Sequence, residues 1–219
     1  MRARTSASLE HRAAKLAGVN AIGMLAQQLE TVNLRIHHSA HDLTPAELVA
    51  RPLPGVNPIA FLLWHMARSQ DWAVNTAILD RPEVIMREPW TASPLAVPGI
   101  GTGFELDEAA GSATRFQLPD LLEYADAVHR DALEWLRTVD EQILELIPDV
   151  AAHDARHAEY QTPGFRAEMD GGPEHDEAVG RSGGLPVWIF LTSVSITHLH
   201  RHLGELDLVK DLLRRSVSS

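Results

Sequence analysis

The stretch Ile196-Thr197-His198-Leu199-His200-Arg201-His202-Leu203-Gly204-Glu205-Leu206 sets two histidines four residues apart beside an apolar helical stripe. At about 100° per residue, His202 falls about 40° from His198, and Glu205 about 20° to the other side. Leu199, Leu203 and Leu206 lie between about 80° and 140° on the same projection. The pair therefore flanks the stripe and faces the inside of a helical bundle, while His200 points the opposite way, to solvent. The apolar spacing of Ile189, Ile196, Leu199, Leu203 and Leu206 predicts a helix over residues 186–213. Gly204 costs that helix about 1 kcal/mol of propensity, which suggests close packing there.

Two histidines need a third ligand to hold a metal ion with an open position, and His65 offers it. The sequence Asn57-Pro58 starts a second helix, predicted over 57–79. On it Phe61, Leu62, Trp72 and Ala73 project close to His65, so the imidazole is centred on an apolar face. Burying it unpaired would cost about 1–3 kcal/mol, so it must be hydrogen-bonded or bound. Three inward imidazoles on two long helices point to a divalent metal site made by His65, His198 and His202. The other pairs with this spacing, His37/His41 and His153/His157, fall in polar surroundings and are read as solvated surface.

Two further helices are predicted over 9–37 and 118–147, from periodic apolar residues and from the Leu118-Pro119-Asp120 start. Between the first and second helices, Thr44-Pro45-Ala46-Glu47 carries the signs of a capping box, with proline at the first helical position. Residues 82–117 and 148–186 are rich in proline and glycine and read as long loop insertions between helices 2 and 3 and helices 3 and 4. Within the first, Gly99-Ile100-Gly101-Thr102-Gly103 lacks the lysine and the preceding strand of a phosphate loop. No strand pattern stands out. The expectation is one all-α domain over 1–219, a four-helix bundle.

The composition narrows the partners. The 219 residues carry a formal net charge of −11, which argues against wrapping nucleic acid or lying on anionic lipid. With no cysteine, the chain itself offers no disulfide, thiolate metal ligand or cysteine nucleophile. No apolar run follows Arg2 and Arg4, and none is long enough to span a membrane, so a cytoplasmic protein without a signal peptide is expected.

The run Gly55-Val56-Asn57-Pro58-Ile59-Ala60-Phe61-Leu62-Leu63-Trp64-His65-Met66-Ala67-Arg68 resembles the second-helix signature of the DinB-like (YfiT-like) family. Thr197 to Glu205 resembles its fourth-helix signature, and Leu43-Thr44-Pro45-Ala46-Glu47-Leu48 is similar to its approach to helix 2. The resemblance implies an up-down-down-up four-helix bundle, a homodimer, and metal ligands at His65, His198 and His202. It also implies a metal-dependent hydrolase or a transferase that uses a low-molecular-weight thiol. The long 148–186 segment departs from the common pattern, and the helix-4 wording of the mycothiol-dependent isomerases is missing.

Three imidazoles leave a coordination position open for a water, whose pKa would fall toward about 7, or for a small thiol. Zinc or nickel suits the ligands best, and iron or manganese is compatible. Glu205 is the candidate general base, with a surface pair to Arg201 as its simpler role. Trp72 and Ser69 are the candidate substrate contacts, and Asp71 is expected in solvent. The competing expectation is a non-catalytic, metal-stabilised stress-response or ligand- or partner-binding protein.

Overall fold

The computed structural model describes residues 20–165 and 184–216. These form helices α1 (Ala21–Ala40), α2 (Pro45–Val49), α3 (Ile59–Asp71), α4 (Leu106–Ala113), α5 (Leu118–Thr138), α6 (Val150–Asp154), α7 (Val187–Phe190) and α8 (His198–Ser216). Among the described residues no strand forms. Two π-helical segments extend this set: Trp72–Ile78 continues α3, and Leu191–Thr197 joins α7 to α8 in one helical run. The long helices pack pairwise around one core: α3 on α5, α5 on α1, α1 on α8, and α8 on α3.

Local chemistry explains most element ends. Asn20 caps α1 by accepting from the Gly23 N–H at 2.7 Å. The capping box expected at α2 forms in full, with Thr44 and Glu47 satisfying each other's backbone N–H groups. At α3 the cap position falls on Pro58 rather than Asn57, and no side chain caps it. The third long helix stops at Thr138 instead of reaching residue 147. The Thr138 hydroxyl donates back to the Trp135 carbonyl at 2.8 Å, and Val139 takes an extended conformation favoured by its β-branch.

The two proline-rich segments contribute to the core. Residues 82–117 carry α4 and bury Leu95, Ile100 and Phe116, and the described part of 148–186 carries α6 and buries Tyr160 and Phe165. The segments touch each other at Gly103 and Gly164. A Cβ on Gly103 would stand 2.6 Å from the Gly164 backbone, and Gly103 has φ +80. Only glycine supplies both the space and the backbone there.

Every residue of α3 and its π-helical extension is buried, including seven polar ones. A helix covered on all sides must satisfy its polar groups within the protein. Asp71, expected in solvent, is 0% exposed. Its carboxylate accepts from the Tyr124 hydroxyl (2.6 Å), Asn75 Nδ2 (2.8 Å) and the backbone N–H groups of Val84 (2.8 Å) and Ile85 (3.0 Å). Helical projection from His65 ignored the 80s turn, which folds over this face and supplies those donors. Beside it, the Arg68 guanidinium donates to Glu83, to Tyr124 Oη at 3.3 Å, to Tyr160 Oη at 3.2 Å, and from Nε to the Gly99 carbonyl at 3.1 Å. Glu83 also accepts from Thr76 and Tyr160. Burial and then the neighbouring Glu83 push the Asp71 carboxyl above its ordinary range.

Removing the only buried cation of this cluster would strand two carboxylates without water. Arg68→Ala should therefore lower the unfolding free energy by about 3–5 kcal/mol. The check is a urea titration, in which Arg68→Met should lose a similar amount because it fills the space but pairs with nothing. A loss below about 1 kcal/mol in both would contradict the account.

Candidate metal centre

Helices α3 and α8 meet at three imidazoles. His65 Nε2 stands 3.2 Å from His198 Nε2, and His202 Nε2 stands 2.9 Å from the same atom. One ligand nitrogen from each residue fits within a group whose members all lie within 4.8 Å of one another. The His65 ring is nearly perpendicular to both others, at 86° to each. Two nitrogens bound to one tetrahedral zinc ion at ordinary bond lengths would stand about 3.3 Å apart. The triad therefore matches a metal-ligand set with little rearrangement.

For two of the three rings, the outer nitrogen explains why Nε2 faces inward. His65 Nδ1 donates to the Ile100 carbonyl at 2.5 Å, and His202 Nδ1 donates to Glu205 Oε2 at 2.9 Å. Each bond leaves its Nε2 as a bare lone pair. A proton on His198 Nε2 could serve only one of these two neighbours at a time. A cation between the rings would satisfy all three. His198 Nδ1 has no hydrogen-bond partner of normal geometry, though the Val194 carbonyl lies on its side.

Burial also keeps the His65 and His198 rings neutral. It lowers His65 from 6.5 to about 4, the Ile100 carbonyl opposing the shift and His202 adding to it. It lowers His198 to about 3, with His65 and His202 contributing. Neutral imidazoles near pH 7 are the ligand form. His65 and His202 are each 7% exposed, whereas His198 is only half-buried, so the site opens on the His198 side.

The structure thus brings together the three histidines singled out in the sequence. It places Glu205 beside them, bonded to His202 rather than to Arg201; that bond, then burial against it, leaves its carboxyl lowered. Ser69 is buried one turn from His65 with an unpartnered hydroxyl. Trp72 is buried against Tyr160, Phe165 and Phe190, and its indole N–H donates to Asp154 at 2.8 Å. His200 is half-buried and donates to the Ile196 carbonyl at 2.9 Å instead of pointing into solvent. Of the remaining pairs, His37 bonds Asp126 (2.8 Å) and His41 bonds the His38 carbonyl (2.6 Å). His153 ties α6 to the Ala77 carbonyl at 2.9 Å, a tertiary contact that the sequence reading as solvated surface missed.

Sequence reasoning also missed Ile100, Arg68 and Ser195. The Gly99 and Ile100 carbonyls are held in succession by Arg68 and His65. Ser195, in the π-helical segment one turn before His198, buries an unpartnered hydroxyl. A signal for Ile100 was present in the glycine run around it, whose purpose becomes clear once Gly101 is seen pressed on Phe61 and Trp64.

Comparison with protein families matches residues 28–169 to the DinB superfamily. The chain belongs to the DinB superfamily. The matched span contains His65 and ends before His198 and His202, so the helix-4 half of the site stands on geometry. Among solved structures, this DinB-superfamily chain is similar to a conserved protein from Enterococcus faecalis, with a TM-score of 0.62 and 16% identity. The match covers 89% of this chain and 98% of that one, and it shows a shared fold. No curated protein matches the chain. Among the described residues, no helix is long and apolar enough to cross a membrane.

Between pH 6.5 and about 4 the unfolded chain binds a proton at residue 65 that the folded chain refuses. Stability of the metal-free protein should therefore fall as pH falls through that window. Melting curves at steps from pH 7 to 4 measure this, and His65→Gln should show a shallower decline. Parallel curves for the two proteins would contradict the burial account.

Proposed function

We propose that His65, His198 and His202 hold one divalent metal ion with a coordination position open, and that the protein is a metal-dependent enzyme acting on a small molecule. The observation that carries this reading is the convergence of three Nε2 atoms whose outer nitrogens are oriented by Ile100 and Glu205 in two cases of three. Three protein ligands and a free position are the ligand pattern of catalytic rather than structural zinc sites. Zinc or nickel suits three imidazoles best, with iron or manganese compatible.

The bound ion would supply Lewis-acid stabilisation of an oxygen or sulfur anion at the open position. The chain's own residues hold and orient the ligands. Ile100 fixes the His65 tautomer, and the Glu205 carboxylate fixes that of His202 and raises its basicity. Because it is already bonded to His202, Glu205 acts first as an orienting group and only secondarily as a general base. Ser69, with its unspent hydroxyl, and Trp72 are the residues we assign to substrate contact. A water bound at the open position would make the protein a hydrolase, and a small thiol bound there, as the family resemblance implies, would make it a thiol-dependent transferase. The pairwise packing order of the long helices is consistent with the up-down-down-up bundle, and a cytoplasmic homodimer is the assembly we assign to it.

A second reading keeps the ion as a clasp in a stress-response or partner-binding protein. It is favoured by the placement of the ligands on two separate helices, which the ion would tie together. Elemental analysis of the purified protein should find one equivalent of metal, with His65→Ala and His202→Ala each losing most of it; full content in His65→Ala would reject the site. Chelation that abolishes turnover of esters, amides or electrophile-plus-thiol mixtures with a small change in melting temperature marks a catalytic ion. A large fall in melting temperature with no turnover in any mixture marks the clasp.

A further inference from the structure

Arg201 lies between His198 and His202 in sequence and is exposed on α8. Its Nη2 comes within 3.4 Å of His202 Nε2, the nitrogen that faces the other two rings. The carboxylate expected to hold it, Glu205, is bonded to His202 instead. Among the described residues no carboxylate lies within ion-pair distance of this guanidinium. Elsewhere on α8 the cations are engaged: Lys210 pairs with Asp42, and Arg214 with Asp42 and Glu47.

We propose that Arg201 is the anion anchor of the metal site and that the substrate carries a carboxylate. The inference rests on the metal-site reading above. This guanidinium donates to His202 Nε2 at the ligand face and has no carboxylate partner among the described residues; once a cation takes that nitrogen it is free to meet a planar anion. One carboxylate oxygen takes the open coordination position and the other accepts from Arg201. The chemistry favours a single negative charge over a phosphate dianion, because the half-buried Glu205 carboxylate stands beside the same ring and repels the second charge. The protein's net charge of −11 makes a local cation the more necessary for drawing an anion in.

The test uses the full chain loaded with cobalt(II), whose visible absorption reports on its ligands without any turnover. Titration with acetate should change the spectrum of the wild type, and Arg201→Gln should weaken acetate binding roughly tenfold or more. Arg201→Lys should recover part of the loss, since it keeps the charge and loses the fork. Equal acetate affinity in wild type and Arg201→Gln, with cobalt bound alike in both, overturns the role of Arg201 and leaves the metal site standing. Tighter binding of inorganic phosphate than of acetate overturns the carboxylate class. If the wild type fails to bind one equivalent of cobalt, or His65→Ala binds it equally well, the metal-site reading itself fails.

Discussion

The buried Arg68 guanidinium is the contact on which the rest of this structure depends. It sits on a helix with no solvent-facing side and must be met by protein on every edge. Glu83 from the turn after α3, Tyr124 from α5, Tyr160 from the segment after α6, and the Gly99 carbonyl all meet there. A charge in that position is costly unless fully paired, so each of these segments is required to be in place at once. The long connections are consequently part of the core, held in register by one cation.

That constraint reaches the candidate metal centre through a single peptide. Arg68 holds the Gly99 carbonyl, and the next carbonyl, Ile100, accepts from His65 Nδ1. The bond decides which nitrogen of His65 faces His198 and His202. Facing His65, α8 begins where a π-helical segment ends, at His198 itself. Such wide-turn segments are frequent at functional sites because they shift the register of the helix that follows. The site is thus set by a fixed carbonyl on one side and a helix register on the other.

The electrostatics follow from the same packing. Burial disfavours protonation of His65 and His198, which keeps the rings in the state that binds cations. The one ligand bonded to a carboxylate, His202, stands beside the exposed Arg201 and the half-buried Glu205. Arg201 and Glu205 thus bring charge to the His202 side of the triad, while on the α3 side the charges of Arg68 and Asp71 are buried and paired within their own cluster.

What the sequence determined by itself was what periodicity and residue chemistry encode locally. The four-residue spacing of His198 and His202, the apolar phase of His65 and the capping box at Thr44 are each set within one or two helical turns. That is why the triad, the all-helical class and the family were legible from the chain alone. Helical projection places a side chain on a face, but it does not say what covers that face. It therefore sent Asp71 into solvent, where the structure buries it under the 80s turn, and it paired Glu205 with Arg201, where the structure gives it to His202. Ile100, Glu83, Tyr124 and Tyr160 reach Arg68 or His65 from 15 to 92 residues away along the chain. No local pattern records such contacts. They are decided in the tertiary structure, because a buried charge and a ligand's outer nitrogen take whichever partner the packed chain brings within hydrogen-bond reach.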